Sequence, residues 1–328
     1  MSKKVRVLYH DNCFDGLASA AVFARFYHDA LDSQAEINFT GLAHRPGQLI
    51  DEDVFNGEEN AIVDFKYSRS ERLTWWFDHH QSAFVTTEDE AHFRQDRSGK
   101  KFYDPGFKSC TKFIASVLKD RFNYDSGQLS ELIEWADIVD GAQYPDAKAA
   151  TELTHPAMKL VAVIETTRDP ALLHQIIRDM QQKSLSEIVE RPEIDSLIGP
   201  IIERQNRSMK TIGDHAECKD GVLYFDVSGY DVEGYNKFIP YYLFPEAVYS
   251  VSVSNSPKRT KVSLGYNPWC GRPRMHNLAS ICERYGGGGH AVVGAISLRP
   301  DQLDWAREIA REVVEELRDG LREERRNG

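Results

Sequence analysis

Short apolar runs punctuate the first eighty residues, and most of them end in a side chain with chemistry. Val5–Tyr9 runs into His10, Ala61–Val63 into Asp64, and Leu73–Phe77 into Asp78-His79-His80; Glu36–Thr40 is a further run of the same kind. Runs this short, rich in β-branched and aromatic residues, read as buried strands. Helical patterns between several of them fit the crossovers of a parallel sheet. In such sheets ligands bind beyond the carboxyl ends of the strands, where these His and Asp residues fall. The small residues of Leu17–Ala24 predict a helix packed closely on the sheet. The loop before it, Asp11–Gly16, then lies at a helix N-terminus, which favours anions. Taken alone, that loop is equally a polar turn capping a helix. The polar, acidic stretch 84–101 reads as a surface excursion. Ser109-Cys110-Thr111 opens a helix through Phe122. Leu129, Leu132, Ile133 and Ala136 fall at helical spacing in the next helix, which ends in Asp137-Ile138-Val139-Asp140. Either acid could join a metal set or be a solvated helix end.

The second half begins with helical patterns over 149–165 and 170–182, and an amphipathic stretch, Pro192–Ile212, reads as a connector stopped at Gly213. Strands follow at 221–227, 247–254 and 261–266. The last two flank an Asn-Ser-Pro-Lys-Arg turn and alternate in polarity, as an antiparallel hairpin does. A helix over 277–285 leads into Gly286-Gly287-Gly288-Gly289-His290, and a strand (292–298) and a mixed-charge helix (302–322) close the chain. The predicted architecture is α/β: a parallel-sheet domain with flanking helices at 1–190, a helical connector at 191–215, and a smaller α+β domain at 216–328. Consecutive glycines bare backbone amides to a phosphate or base, and His290 adds a donor. A flexible connector is the other reading, but linkers are usually longer and mixed with Ser. Arg272 and Arg274 hold a second phosphate or are solvated charges. Tyr266 and Trp269 stack on a base or pack in the core. His276 is a ligand contact or a loop residue. His44-Arg45 follows the second strand within reach of the cleft, whereas His28, His92, His155, His174 and His215 sit in contexts without partners at ligand spacing.

Composition narrows the picture. The chain has 328 residues, 41% hydrophobic and 28% charged, enough for two cores. There is no signal-peptide pattern at the N-terminus and no run near the roughly 18 apolar residues of a membrane span, so a cytoplasmic, membrane-free protein is expected. Five cysteines without a C-x-x-C pair indicate neither a disulfide framework nor a thiolate zinc site. A net charge of −11 argues against gripping a long duplex but admits a small anionic substrate held by metal.

The set His10-x-x-x-x-Asp15-Gly16, Asp64, Asp78-His79-His80, Asp137 or Asp140, with Gly286–His290 far downstream, resembles the DHH phosphoesterase superfamily with its DHH-associated C-terminal domain. That superfamily includes RecJ-type nucleases, nano-RNases and family II pyrophosphatases. The resemblance implies two divalent cations, usually Mn2+, with Mg2+, Fe2+ or Zn2+ as alternatives. Asp64 would bridge them, His10 would serve one, and Asp15, His79 and Asp137 the other. Asp78 would orient the imidazoles, and His80 would face the phosphate or leaving group. Many relatives carry an Asp where this chain has Cys13. A thiol suits a hard cation poorly, so Cys13 either packs inertly or softens one site toward iron or zinc.

Two cations about 3.5–4 Å apart can activate a water and clamp the phosphoryl oxygens of an in-line displacement. The expected activity is therefore a metal-dependent phosphodiesterase or exonuclease, cutting short single-stranded RNA or DNA, or linear dinucleotides, to nucleoside monophosphates. Rival readings are a phosphatase on 3′-phosphoadenosine 5′-phosphate, a polyphosphatase, and an inactive nucleotide-binding scaffold. A homodimer is compatible with all of these.

Overall fold

In the computed structural model, which describes residues 2–43, 50–232 and 234–327, the apolar runs of the first half become one parallel sheet. Its strands are β1 (Lys4–His10), β2 (Glu36–Leu42), β3 (Glu59–Val63), β4 (Trp75–Asp78) and β5 (Lys101–Tyr103), in the order β2-β1-β3-β4-β5. The chain leaves β1 to one side for β2 and returns on the other for β3, so the order reverses beside β1. Ligands of open α/β sheets bind at such a switch point. Register sharpens this. Tyr9 pairs with Val63, and Val63 with Phe77. His10, Asp64 and Asp78 are thus each the next residue along three adjacent strands.

Alternation along β4 fixes which face each ring fills. Trp75 packs edge-on against Phe23 of the helix Phe14–Phe26 and Phe77 packs tilted against the same ring, while Trp76 points the other way, into a cluster with Leu8, Phe55, Ile62 and Tyr67. The helix Phe14–Phe26 is almost wholly buried, consistent with its run of alanines. The expected surface excursion at 84–101 holds more structure than its polar composition suggests. Thr86 and Asp89 form a capping box that opens a helix, Thr87–Gln95, and β5 then adds a fifth strand. Three residues are too few for periodicity to reveal a strand.

Two compact units divide the chain: Met1–Tyr144 with Leu153–Gly199, and Pro145–Glu152 with Pro200–Gly328. The helix expected to be a separate connector, Pro192–His215, is continuous and shared between them, and the division falls at Pro200 within it. The second unit carries a six-stranded mixed sheet. Its strands are β6 (Ala216–Lys219), β7 (Val222–Asp226), β8 (Tyr249–Asn255), β9 (Thr260–Tyr266), β10 (Gly288–His290) and β11 (Val293–Leu298), in the order β10-β11-β9-β8-β7-β6. β7 and β8 pair parallel, and the other described neighbours in this sheet pair antiparallel. The closing helix, Leu303–Asn327, buries Ile309, Val313, Leu317 and Leu321 against Val251, Val253, Val262 and Leu264. This unit is α+β, as expected. Among the described residues, no helix is long and apolar enough to cross a membrane.

Candidate metal centre

Asp64 lies one residue past β3 with φ at +57°, a left-handed conformation that costs a non-glycine residue energy. Its amide donates to the Phe77 carbonyl at 2.9 Å, which anchors the strained residue to β4. The carboxylate is 1% exposed, and neither oxygen completes a hydrogen bond. Three imidazole nitrogens surround it: His79 Nε2 at 3.4 Å, His10 Nδ1 at 3.5 Å and His80 Nδ1 at 3.8 Å. An ionised, buried, unpaired carboxylate is expensive unless a cation meets it.

Asp15 arrives from the first turn of the helix Phe14–Phe26. That turn can approach β1 only because residue 16 is glycine: a Cβ there would lie 2.2 Å from the His10 carbonyl oxygen. The Asp15 carboxylate accepts from the amides of Cys110 (2.6 Å) and Thr111 (3.0 Å), at the N-terminus of the helix Cys110–Phe122. Helix termini stabilise anions in this way. One Asp15 oxygen lies 3.7 Å from His79 Nε2, and Asp140 Oδ2, at the end of the helix Ser130–Asp140, lies 3.4 Å from the same nitrogen.

Asp78 holds both histidines. Its Oδ1 accepts from the amides of His79 (2.9 Å) and His80 (3.2 Å) and from His80 Nδ1 (2.7 Å). His79 Nδ1 faces the Phe107 carbonyl at 3.1 Å; a carbonyl only accepts, so Nδ1 carries a proton. The other nitrogen, Nε2, points at three carboxylates. Facing them favours the doubly protonated ring. Burial opposes that charge, but Asp64, Asp15 and Asp140 push His79 up to about 10. Burial, with repulsion from Asp64 and Asp140, raises Asp15 well above the usual carboxylate range, and burial with repulsion from Asp64 pushes Asp140 up to about 6. Burial also works to raise Asp64, but the neighbouring His10, His79 and His80 hold it below its ordinary value. A divalent cation replaces the imidazolium proton and relieves the carboxylate repulsion together, so the donor set fits a metal. Three groups of donor atoms lie mutually within 4.8 Å: His10, Cys13 and Asp64; Asp64, His79 and His80; and Asp15, His79 and Asp140.

Not every expected residue joins this cluster. Asp137 instead ion-pairs with Lys112, and the aspartate one turn on, Asp140, takes the place assigned to it. In the second unit the four glycines are not an open loop but lead into β10, which pairs with β11. Packing demands most of them. A Cβ at Gly287 or Gly289 would lie 2.3 Å from a carbonyl oxygen of β11, and Gly286 and Gly289 have positive φ. Gly288 alone has open space and ordinary φ, and His290 is exposed. Arg272 ion-pairs with Glu324, so it is not a spare charge, while exposed Arg274 ties to the carbonyls of His276 and Ala291. Tyr266 packs on Tyr249, Trp269 on Phe238, and His276 against Tyr249 and Gly320. His28 and His155 contact local backbone, His92 Nδ1 pairs with the Tyr67 hydroxyl at 2.8 Å, and His215 packs on the Tyr230 ring. His44 and Arg45 lie outside the described residues.

Several supporting residues carry no signal in the sequence. The amides of Cys110 and Thr111 and the carbonyl of Phe107 orient ligands from across the fold. Asn12, with φ at +53°, pins the loop after β1 by donating to the carbonyls of Ile164 and Thr167, both at 2.9 Å. Beside the cluster is a cavity of about 620 Å3 whose lining includes Asp11, Phe65, Lys66, Tyr67 and Arg69. The Phe65 ring also lies 5.9 Å from that of His10.

No protein-family model and no curated protein matches the chain by sequence. Solved structures do match in fold. The pGpG-specific phosphodiesterase PggH of Vibrio cholerae gives a TM-score of 0.68 at 18% identity, covering 96% of this chain and 100% of that one. RecJ of Thermus thermophilus in complex with Mn2+ gives 0.57 at 12% identity, covering 96% of this chain and 52% of RecJ, so this chain spans about half of RecJ. An exopolyphosphatase-related protein of Bacteroides fragilis gives 0.52 at 12% identity, covering 98% and 94%. The parallel sheet and the following α+β unit therefore share the fold of these solved structures.

Proposed function

We propose that this chain is a metal-dependent phosphodiesterase acting on short oligonucleotides or linear dinucleotides and releasing nucleoside monophosphates. The observation that carries the reading is Asp64, buried and strained, with two oxygens that complete no hydrogen bond inside a ring of His10, His79, Asp15 and Asp140. Asp64 with His10 would hold one divalent cation, and Asp64 with Asp15, His79 and Asp140 a second. When bound, such cations neutralise phosphoryl charge and lower the pKa of water. The chain's own residues do the rest. Asp78 fixes the His80 imidazole and the His79 backbone while the Phe107 carbonyl orients the His79 ring, and His80, whose Nδ1 proton is held by Asp78, would turn its other nitrogen to a phosphate or leaving oxygen. Gly288, His290 and Arg274 are proposed as substrate contacts of the second unit.

The adjoining cavity supports a nucleotide over a bare polyphosphate, since its volume is in the range of small-ligand sites. The fold neighbour described as a pGpG-specific phosphodiesterase, matched along its whole length, supports a dinucleotide in particular. The test is a panel of dinucleotide, longer RNA, 3′-phosphoadenosine 5′-phosphate and polyphosphate, with Mn2+ and with EDTA. Cleavage of the dinucleotide or short RNA, abolished by EDTA, is expected. Turnover that survives EDTA removes the metal mechanism, and cleavage of polyphosphate alone removes the substrate class.

A further inference from the structure

The position before a helix is where Ser, Thr, Asp and Asn are preferred, because their oxygens cap an orphan amide. Cys13 occupies that position ahead of Phe14–Phe26, in extended geometry, and makes no capping bond. Its carbonyl accepts from Leu17, so the backbone does what the helix requires while the side chain does not. The sulfur is placed instead among ligand atoms: Cys13 Sγ, a ring nitrogen of His10 and an Asp64 oxygen all lie within 4.8 Å of one another. Asp64 supplies the independent sign of a ligand, being 1% exposed with both oxygens unmatched. The loop that carries Cys13 is held stiffly, by Asn12 to Ile164 and Thr167 and by the Asp11 amide to Leu42. The other cysteine near the cluster behaves differently. Cys110 is buried and gives its thiol to the Phe77 carbonyl at 3.4 Å.

We propose that Cys13 is a thiolate ligand, with His10 and Asp64, to one of the two cations, so that this position selects a soft or borderline metal such as Zn2+ or Fe2+. The position built from Asp15, His79, Asp140 and Asp64 offers only oxygen and nitrogen and takes the harder Mn2+ or Mg2+. Thiolate sulfur favours the former metals and carboxylate the latter, so the two halves of one cluster sort metals by chemistry. The inference rests on the proposed cation cluster and adds a division of labour within it.

The test reads sulfur directly. Full-length protein is stripped of metal, loaded anaerobically with Co2+ or Zn2+, and assayed for metal content. Wild type is expected to show an intense near-ultraviolet thiolate-to-Co2+ absorption and, at the zinc edge, a sulfur neighbour at about 2.3 Å. Cys13→Ser should lose both while keeping its fold, because Ser is a good residue at that cap. Cys110→Ser should keep both. Cys13→Asp should shift the Zn2+ to Mn2+ affinity ratio at that position toward Mn2+ by at least about tenfold. Metal-loaded wild type with no sulfur signal, or a signal unchanged in Cys13→Ser, overturns this assignment and leaves the phosphodiesterase reading standing. Failure to take up any metal overturns both.

Discussion

The two glycine- and histidine-bearing regions singled out by the sequence differ in what the fold asks of them. Around Asp64 the fold carries a penalty: a non-glycine residue at positive φ, a buried carboxylate without hydrogen bonds, and an imidazole nitrogen aimed at three acids. Around Gly286–His290 three of the four glycines are required by the fold itself, through positive φ or close approach to β11. Features that cost stability are evidence of function; features that stability requires are not. The cluster in the first unit therefore stands on its own physics, and the glycine segment needs a test that separates packing from binding.

The largest expected effect breaks the first half of that contrast. Asp64→Asn keeps a residue that tolerates left-handed backbone and removes the buried charge. Metal-dependent hydrolysis should fall by on the order of 10³-fold or more. The metal-free protein should melt no lower than wild type, and the metal-induced rise in Tm should disappear. A large drop in metal-free Tm would mean that the carboxylate is structural.

Next in size is the choice between two aspartates one turn apart. Asp140→Asn should cost about 100-fold in metal affinity, measured by titration of stripped protein. Asp137→Asn breaks only a half-exposed ion pair with Lys112, worth no more than about 1 kcal/mol, and should leave affinity unchanged. Reversed results would restore Asp137 to the ligand set.

This choice also marks where the sequence stopped being legible. His10, Asp64 and Asp78 were readable because strand period and apolar run length put each at a strand end, and parallel register does the rest. Asp137 and Asp140 are three apart on one helix, so periodicity places them on the same face, and only the packed helix decides which reaches His79. The amides of Cys110 and Thr111 that hold Asp15 lie 95 and 96 residues from it, a relation no local pattern contains. β5 and the capped helix before it were hidden by their polar composition, since their residues face solvent on one side. The glycine run was visible, but the reason for it was not: its closeness to β11 is set by the partner strand.

A smaller effect separates packing from binding in the second unit. Gly289→Ala and Gly287→Ala force a methyl group against a β11 carbonyl and should destabilise by about 1–3 kcal/mol in urea unfolding. Gly288→Ala meets nothing and should stay within about 0.5 kcal/mol of wild type. If the segment binds substrate, Gly288→Ala and His290→Ala should raise KM severalfold at unchanged Tm. Unchanged KM in both would assign the glycines to packing alone.

The smallest effect concerns how local the anionic field of the cluster is. His174 lies in the same unit, between the rings of Tyr9 and Phe39, with Nε2 buried and unmatched. Burial, helped by Arg178 and Arg6 and opposed by Asp11 and Asp169, lowers its pKa, whereas His79 is driven the opposite way. A histidine depressed in the folded state binds its proton more readily when unfolded, so its contribution to stability is intact above the ordinary value of 6.5. That contribution is lost as pH falls from there through the folded value. His174→Phe keeps the ring packing and removes the titration, so the stability difference between mutant and wild type should widen in the mutant's favour below pH 6.5. A difference independent of pH would mean that His174 titrates at the same pH folded and unfolded, and that burial between Tyr9 and Phe39 does not shift it.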